Sequence, residues 1–137
     1  MSVRSGNPKS IIEASVALGA STGVNFALDS SSQNLLAVAI VYTASATVGN
    51  RTPTIRVLDA NSKIIWSAAF GTAVTASQVP RLMMGAGSPT SSTTTPLQQT
   101  FPLPVEFSLP PSSSLQVLDA ANIDTTDTVQ VNIVVTL

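Results

Sequence analysis

The chain contains no cysteine and no histidine. Without cysteine, redox and thiolate chemistry are excluded and no disulfide staple is available. Without histidine, the one side chain that titrates near neutrality unaided is missing. Ser–His–Asp and Cys–His nucleophile systems are therefore excluded, as are zinc sites built on imidazole. Charge is scarce too: Asp, Glu, Lys and Arg make up 9% of the 137 residues, against roughly 25% in an average soluble domain. A net charge of −1 gives no reason to expect nucleic acid or an anionic membrane as partner. The longest apolar run, residues 35–41, is far too short to cross a bilayer as a helix.

What fills the gap is hydroxyl: Ser and Thr supply about a quarter of the residues. A free monomer normally relies on a well-charged surface to stay dispersed. A neutral, hydroxyl-rich surface suits a protein that neighbours partly cover, so an assembly-bound role is expected. The length fits one domain, which buries about two-thirds of the surface its unfolded chain exposes. Residues 1–10 lack an apolar h-region, so no secretory signal is expected.

Helical periodicity is absent and alternation at period two recurs. Val129, Val131, Ile133, Val135 and Leu137 face one way, with Gln130, Asn132 and Thr136 opposite. Ile12, Ala14, Val16 and Leu18 form the apolar side of an earlier strand, opposite Ile11, Glu13 and Ser15. Residues 35–43 are apolar on both faces, Leu36, Val38, Ile40 and Tyr42 backed by Leu35, Ala37, Ala39 and Val41. Such a strand is either central in a sandwich or covered by a partner on its second face. Residues 54–58 and 63–70 flank the turn formers Asp59-Ala60-Asn61-Ser62 and read as a hairpin. Further strands are expected near 24–28, 78–84, 105–109 and 114–118. About eight short strands separated by turn signals indicate a single-domain all-β sandwich, jelly-roll-like. The string Val57-Leu58-Asp59-Ala60-Asn61 recurs as Val117-Leu118-Asp119-Ala120-Ala121-Asn122. Duplication of a four-stranded unit and repeated hairpin chemistry both account for the echo. Two segments lack strand character: residues 1–9, a flexible arm ahead of a domain spanning 10–137, and residues 85–104, a long Pro/Ser/Thr-rich surface loop.

Candidate chemistry is thin. Asp119, Asp124 and Asp127 share one loop and could offer oxygen ligands to Ca²⁺, but the glycine-bearing EF-hand spacing is missing and turn-forming aspartates are common. Glu13 and Glu106 are the sole glutamates, and no context marks them as a glycosidase pair. Asn50-Arg51-Thr52 fits a glycosylation acceptor, although Pro53 follows and a turn is the simpler reading. Trp66 reads as a packing residue, and Arg51, Arg56, Lys63 and Arg81 as solvated positions. No enzyme activity, cofactor, metal or small-molecule substrate is expected.

The run Asn50-Arg51-Thr52-Pro53-Thr54-Ile55-Arg56-Val57-Leu58-Asp59, then Ile64-Ile65-Trp66 and Thr75-Ala76-Ser77-Gln78, carries a resemblance, as do Leu109-Pro110-Pro111 and Leu115-Gln116-Val117-Leu118-Asp119. Together they resemble small virion structural proteins from the head genes of tailed bacteriophages, over roughly residues 35–137. The resemblance implies a β-sandwich or jelly-roll cement (decoration) protein, made in the host cytoplasm, that binds the outside of a capsid and stabilises it. The implied partners are the major capsid protein and copies of the chain itself. A tail, adaptor or fibre-associated protein of the same fold is the alternative, and a carbohydrate-binding attachment module a more distant one. No catalytic residue comes with the resemblance. Candidate interface residues are Arg4 and Lys9 in the arm, Leu35, Ala37, Ala39 and Val41 on the doubly apolar strand, and Pro89, Pro96 and Phe101 in the long loop.

Overall fold

The computed structural model describes residues 8–19, 23–28, 33–94 and 97–136. They form eleven strands: β1 (Pro8–Ala17), β2 (Val24–Ala27), β3 (Gln33–Thr43), β4 (Pro53–Leu58), β5 (Ile64–Ala69), β6 (Arg81–Ala86), β7 (Ser91–Thr94), β8 (Leu97–Leu103), β9 (Phe107–Leu109), β10 (Ser114–Asp119) and β11 (Thr128–Thr136). There is no helix among the described residues. The larger sheet runs β1-β11-β3-β6-β8-β7, with β9 also on β3, and the smaller runs β2-β10-β4-β5.

Eight strands make one antiparallel ribbon folded over on itself. β1 pairs with β11, β2 with β10, β3 with β6, and β4 with β5 at the closed end. Rolling the ribbon brings β11 against β3 and β10 against β4 and divides the pairs between two sheets. That is the jelly roll, a β-sandwich with its two sheets face to face. Alternation builds the core: Val38, Ile40 and Tyr42 from β3 and Val129, Val131, Ile133 and Val135 from β11 are buried against Ile55, Val57, Leu115 and Val117 of the smaller sheet. Each such side chain contributes roughly 1.5–3 kcal/mol by leaving water.

Two local irregularities change which residues face inward. In β3, Leu35 pairs with Val135 and Ala37 with Val134, so Leu36 is an extra residue and the inward parity switches there. Leu35 consequently joins the even-numbered residues in the core, 1% exposed, and is not an outward residue as the alternation suggests. In β1 the register shifts between Glu13 and Val16. Ahead of the shift Ile11, paired with Ile133, packs against the core, and after it Val16, paired with the buried Val129, is 36% exposed on this edge strand.

The segment 85–104 is not a strandless loop. It finishes β6 and then forms the hairpin β7–β8, with β8 lying parallel to β6. Threonine is β-branched and favours the pleated surface, and two of the prolines flank the strands. Pro89 lies in the turn before β7, and Pro104 follows β8. Pro102 is inside β8, but β7 covers β8 only from Leu97 to Thr100, so one side of Pro102 is open. β1 overlaps the arm expected over residues 1–9: Pro8 and Lys9 pair with Thr136 and Val135. Residues 1–7, Pro96 and Leu137 lie outside the described residues.

Candidate functional site

The outward residues of the larger sheet line up in rows across four strands. Asn132, Ala39, Met83 and Thr100 form one row, and Val134, Ala37, Gly85 and Pro102 the next. A third row holds Gln130, Val41, Arg81 and Gln98. A shallow depression of about 360 Å³ lies on this face, lined by Ala37, Ala39, Met83, Gly85, Thr100 and Val134 among others. Met83 is 44% exposed on it, and among the described residues no charged side chain lines it. Chemically this patch can exclude water against an apolar partner and do little else.

Of the expected interface residues, Ala37, Ala39 and Val41 share this face and are half-buried. Leu35 belongs to the core, so it cannot be part of a surface. Phe101 is also misplaced by the loop reading: it pairs with Met84 in β8 and packs against the core cluster. Pro89 is exposed, and its carbonyl accepts from Thr100 Oγ1 at 2.8 Å. Lys9 is exposed on β1, at the far edge of the sheet. Arg4 and Pro96 lie outside the described residues. Met83 and Val134 were missed because a row across a sheet depends on register, which alternation within one strand does not encode.

The polar chemistry is mostly internal. Arg51 and Asp127, read as a solvated base and a loop acid, are both fully buried and form a bidentate pair, Nε to Oδ2 at 2.9 Å and Nη2 to Oδ1 at 3.2 Å. Arg51 also donates to the Gly49 carbonyl and to Ser45 Oγ. Asp127 further accepts from the Tyr42 hydroxyl at 2.6 Å and the Ser45 N–H at 2.8 Å. Burial alone would raise the Asp127 pKa, but Arg51, the Ser45 N–H and the Tyr42 hydroxyl outweigh it and hold the carboxyl below its ordinary value. Burial, then donation to Asp127, push the Tyr42 phenol far above its ordinary range. The Arg51 guanidinium is raised chiefly by its hydrogen bonds to Asp127.

The other two loop aspartates are equally committed. Asp124 accepts from the Ser45 and Thr47 hydroxyls and from the Thr126 N–H and hydroxyl, which hold it well below the usual carboxylate range. Asp119 accepts the N–H groups of Thr52, Ala121 and Ile123. The three carboxylates are spent on separate protein donors and do not converge; among the described residues no acidic cluster could hold a metal ion.

No family model matches the chain, and no curated protein matches it. Among solved structures it is similar to one of infectious bursal disease virus, Gx strain, with 13% identity over 96% of this chain and 40% of that chain and a TM-score of 0.29. It is likewise similar to the T13 particle of the same virus, with 12% identity over 96% of this chain and 38% of that chain and a TM-score of 0.28. The chain spans about two-fifths of the length of those chains.

Proposed function

We propose that this chain is a structural virion protein that binds the outside of a phage capsid, through the outer face of its larger sheet, and stabilises the shell. The observation that carries the reading is the poverty of surface charge. Of six basic and seven acidic residues, Arg51, Asp119 and Asp127 are buried, so the surface is poorer in charge than the composition. The face centred on Ala39 and Met83 adds an uncharged, hollowed patch. A jelly roll suits such a role, being stiff and free of moving parts. The resemblance of residues 35–137 to tailed-phage head proteins supports the capsid over other assemblies. The partners are the major capsid protein and further copies of the chain, and many modest contacts engaged together give firm attachment. The role requires no catalysis.

Ala39→Glu and Met83→Glu place a charge on the patch without touching the core. Both variants should keep the parent strand spectrum and thermal midpoint, yet sediment with capsids in much reduced copy number. Undiminished retention of both would move the joining surface elsewhere. Counting copies per particle by cryo-EM separates the capsid from a tail or adaptor site: cement needs on the order of hundreds, a tail ring about a dozen.

A further inference from the structure

The smaller sheet carries a different surface on the opposite side of the sandwich. Asn25, Gln116, Arg56 and Ser67 stand in register across all four of its strands. Their inward neighbours Ile55, Val57, Leu115 and Val117 are in the core, so this row faces out. Asn25, Gln116 and Arg56 line a depression of about 550 Å³ together with Ser62 and Ile64. That volume lies inside the range of about 300–1,000 Å³ typical of small-ligand sites.

The charge balance there is one-sided. Arg56 is half-buried, and its guanidinium has no hydrogen-bond or ion-pair partner among the described residues. Among the described residues no acidic side chain lines the depression. A guanidinium in that position presents its planar fork to a carboxylate, which it holds bidentately. Beside it are the Asn25 carboxamide, with both donor and acceptor atoms, and the Ser62 hydroxyl. Adjacent strands lie about 4.8 Å apart, so the row from Asn25 to Arg56 extends ~10 Å, the scale of one or two sugar rings. Ile64, 48% exposed, offers an apolar wall for the ring face. Among the described residues the lining holds none of the aromatic platforms that bind neutral sugars.

The geometry points to a binding site for an acidic saccharide, the carboxylate of a uronic-acid unit on Arg56 and its hydroxyls on Asn25 and Ser62. A chain seated on a capsid by its larger sheet would turn this site away from the particle. The site itself is a property of the isolated protein, so its test does not depend on capsid attachment.

Amide spectra of the ¹⁵N-labelled protein would be titrated with an oligogalacturonate, with the matching neutral galacto-oligosaccharide, and with inorganic phosphate. The oligogalacturonate should shift the Asn25, Arg56, Ser62 and Ile64 signals saturably. The neutral oligomer should bind at least about tenfold more weakly, the loss expected for one charge-assisted hydrogen-bonded contact. Arg56→Gln, checked for an unchanged strand spectrum and thermal midpoint, should lose affinity to a similar degree. No shift at those amides, or full affinity in Arg56→Gln, would overturn the proposal. Equal binding of phosphate would reduce the site to an adventitious-anion site only, and equal binding of the neutral oligomer would remove the acidic specificity.

Discussion

At the residue scale the loop after β3 is tied to the loop before β11 by a buried ion pair. Arg51 and Asp127 satisfy each other bidentately, and Gly49, Ser45 and Tyr42 take the remaining donors and acceptors. A buried pair of this kind adds little over an apolar replacement, but breaking it strands a charge and costs about 3–5 kcal/mol. Asp127→Asn should therefore lower unfolding stability by about that amount at pH 7. Asp127→Leu combined with Arg51→Met should lose less than the single change, as a double-mutant cycle in urea would measure. Asp127 and Asp124 are both held below their ordinary values. Their contribution is thus complete above the unfolded carboxylate pKa of about 3.9 and declines as pH falls below it. Urea midpoints of the parent should drop below about pH 4, and those of Asp127→Asn should drop less steeply. None of this pairing could be read from the sequence. Arg51 is 76 residues from Asp127 along the chain, and an arginine between turn formers has the composition of a solvated base. Leu35 shows the same limit on a smaller scale. One inserted residue at Leu36 reverses its face, and alternation carries no mark of a bulge. Leu35→Ala should cost about 2–5 kcal/mol, whereas Val41→Ala, on the outer face, should stay within about 1 kcal/mol. Equal losses would contradict the shift in parity.

At the scale of elements, turns were the most readable part of the chain. The repeated Val-Leu-Asp-Ala string marks the same turn twice. Asp59 Oδ1 accepts from the N–H groups of Asn61 and Lys63, while its carbonyl accepts from Ser62 N–H. Asp119 accepts from Ala121 and Ile123, and its carbonyl from Asn122 N–H. Ser62 and Asn122, each three residues after its aspartate, both have positive φ, 63° and 52°. Shared turn chemistry suffices for the echo, because an aspartate that binds its own backbone onward makes the same corner wherever it ends a strand. The insertion between β6 and β9 was unreadable for the opposite reason. Its prolines signal a loop, and only the pairing of β7 with β8 and of β8 with β6 reveals that strands form there. Replacing residues 88–100 with a short turn removes β7 and more than half of β8. It uncovers the edge of β6 and loosens Phe101, which packs on the core. The variant should unfold at a lower denaturant concentration than the parent, with a changed slope if the remaining strands splay. An unchanged midpoint would show the hairpin to be an appendage.

At the scale of the whole molecule, the jelly roll separates two surfaces that share no residue. The ribbon must place one face of each sheet inward, so the two remaining faces point in opposite directions. On the larger sheet that face is small, apolar and uncharged around Ala39 and Met83. On the smaller sheet it is a polar row around a half-buried arginine. The class of fold was legible because eight strands alternate and carry turn signals at their ends. The division of labour between faces was not, since it follows from which strands become neighbours. The absence of cysteine makes that division directly measurable. Met83→Cys and Ser67→Cys each introduce one thiol, on the larger and the smaller sheet respectively, both at exposed positions. In the free protein a maleimide reagent should modify both. On intact particles Ser67→Cys should react at its free-protein rate, while Met83→Cys should be protected for as long as the chain is attached. Protection of Ser67→Cys with free reaction at Met83→Cys would mean that the chain sits on the particle by its smaller sheet. The acidic-saccharide site would then be buried against the capsid, unavailable to a soluble ligand. Equal reactivity of both thiols on the particle would place the contact on an edge or a terminal segment, and neither sheet face would be the joining surface.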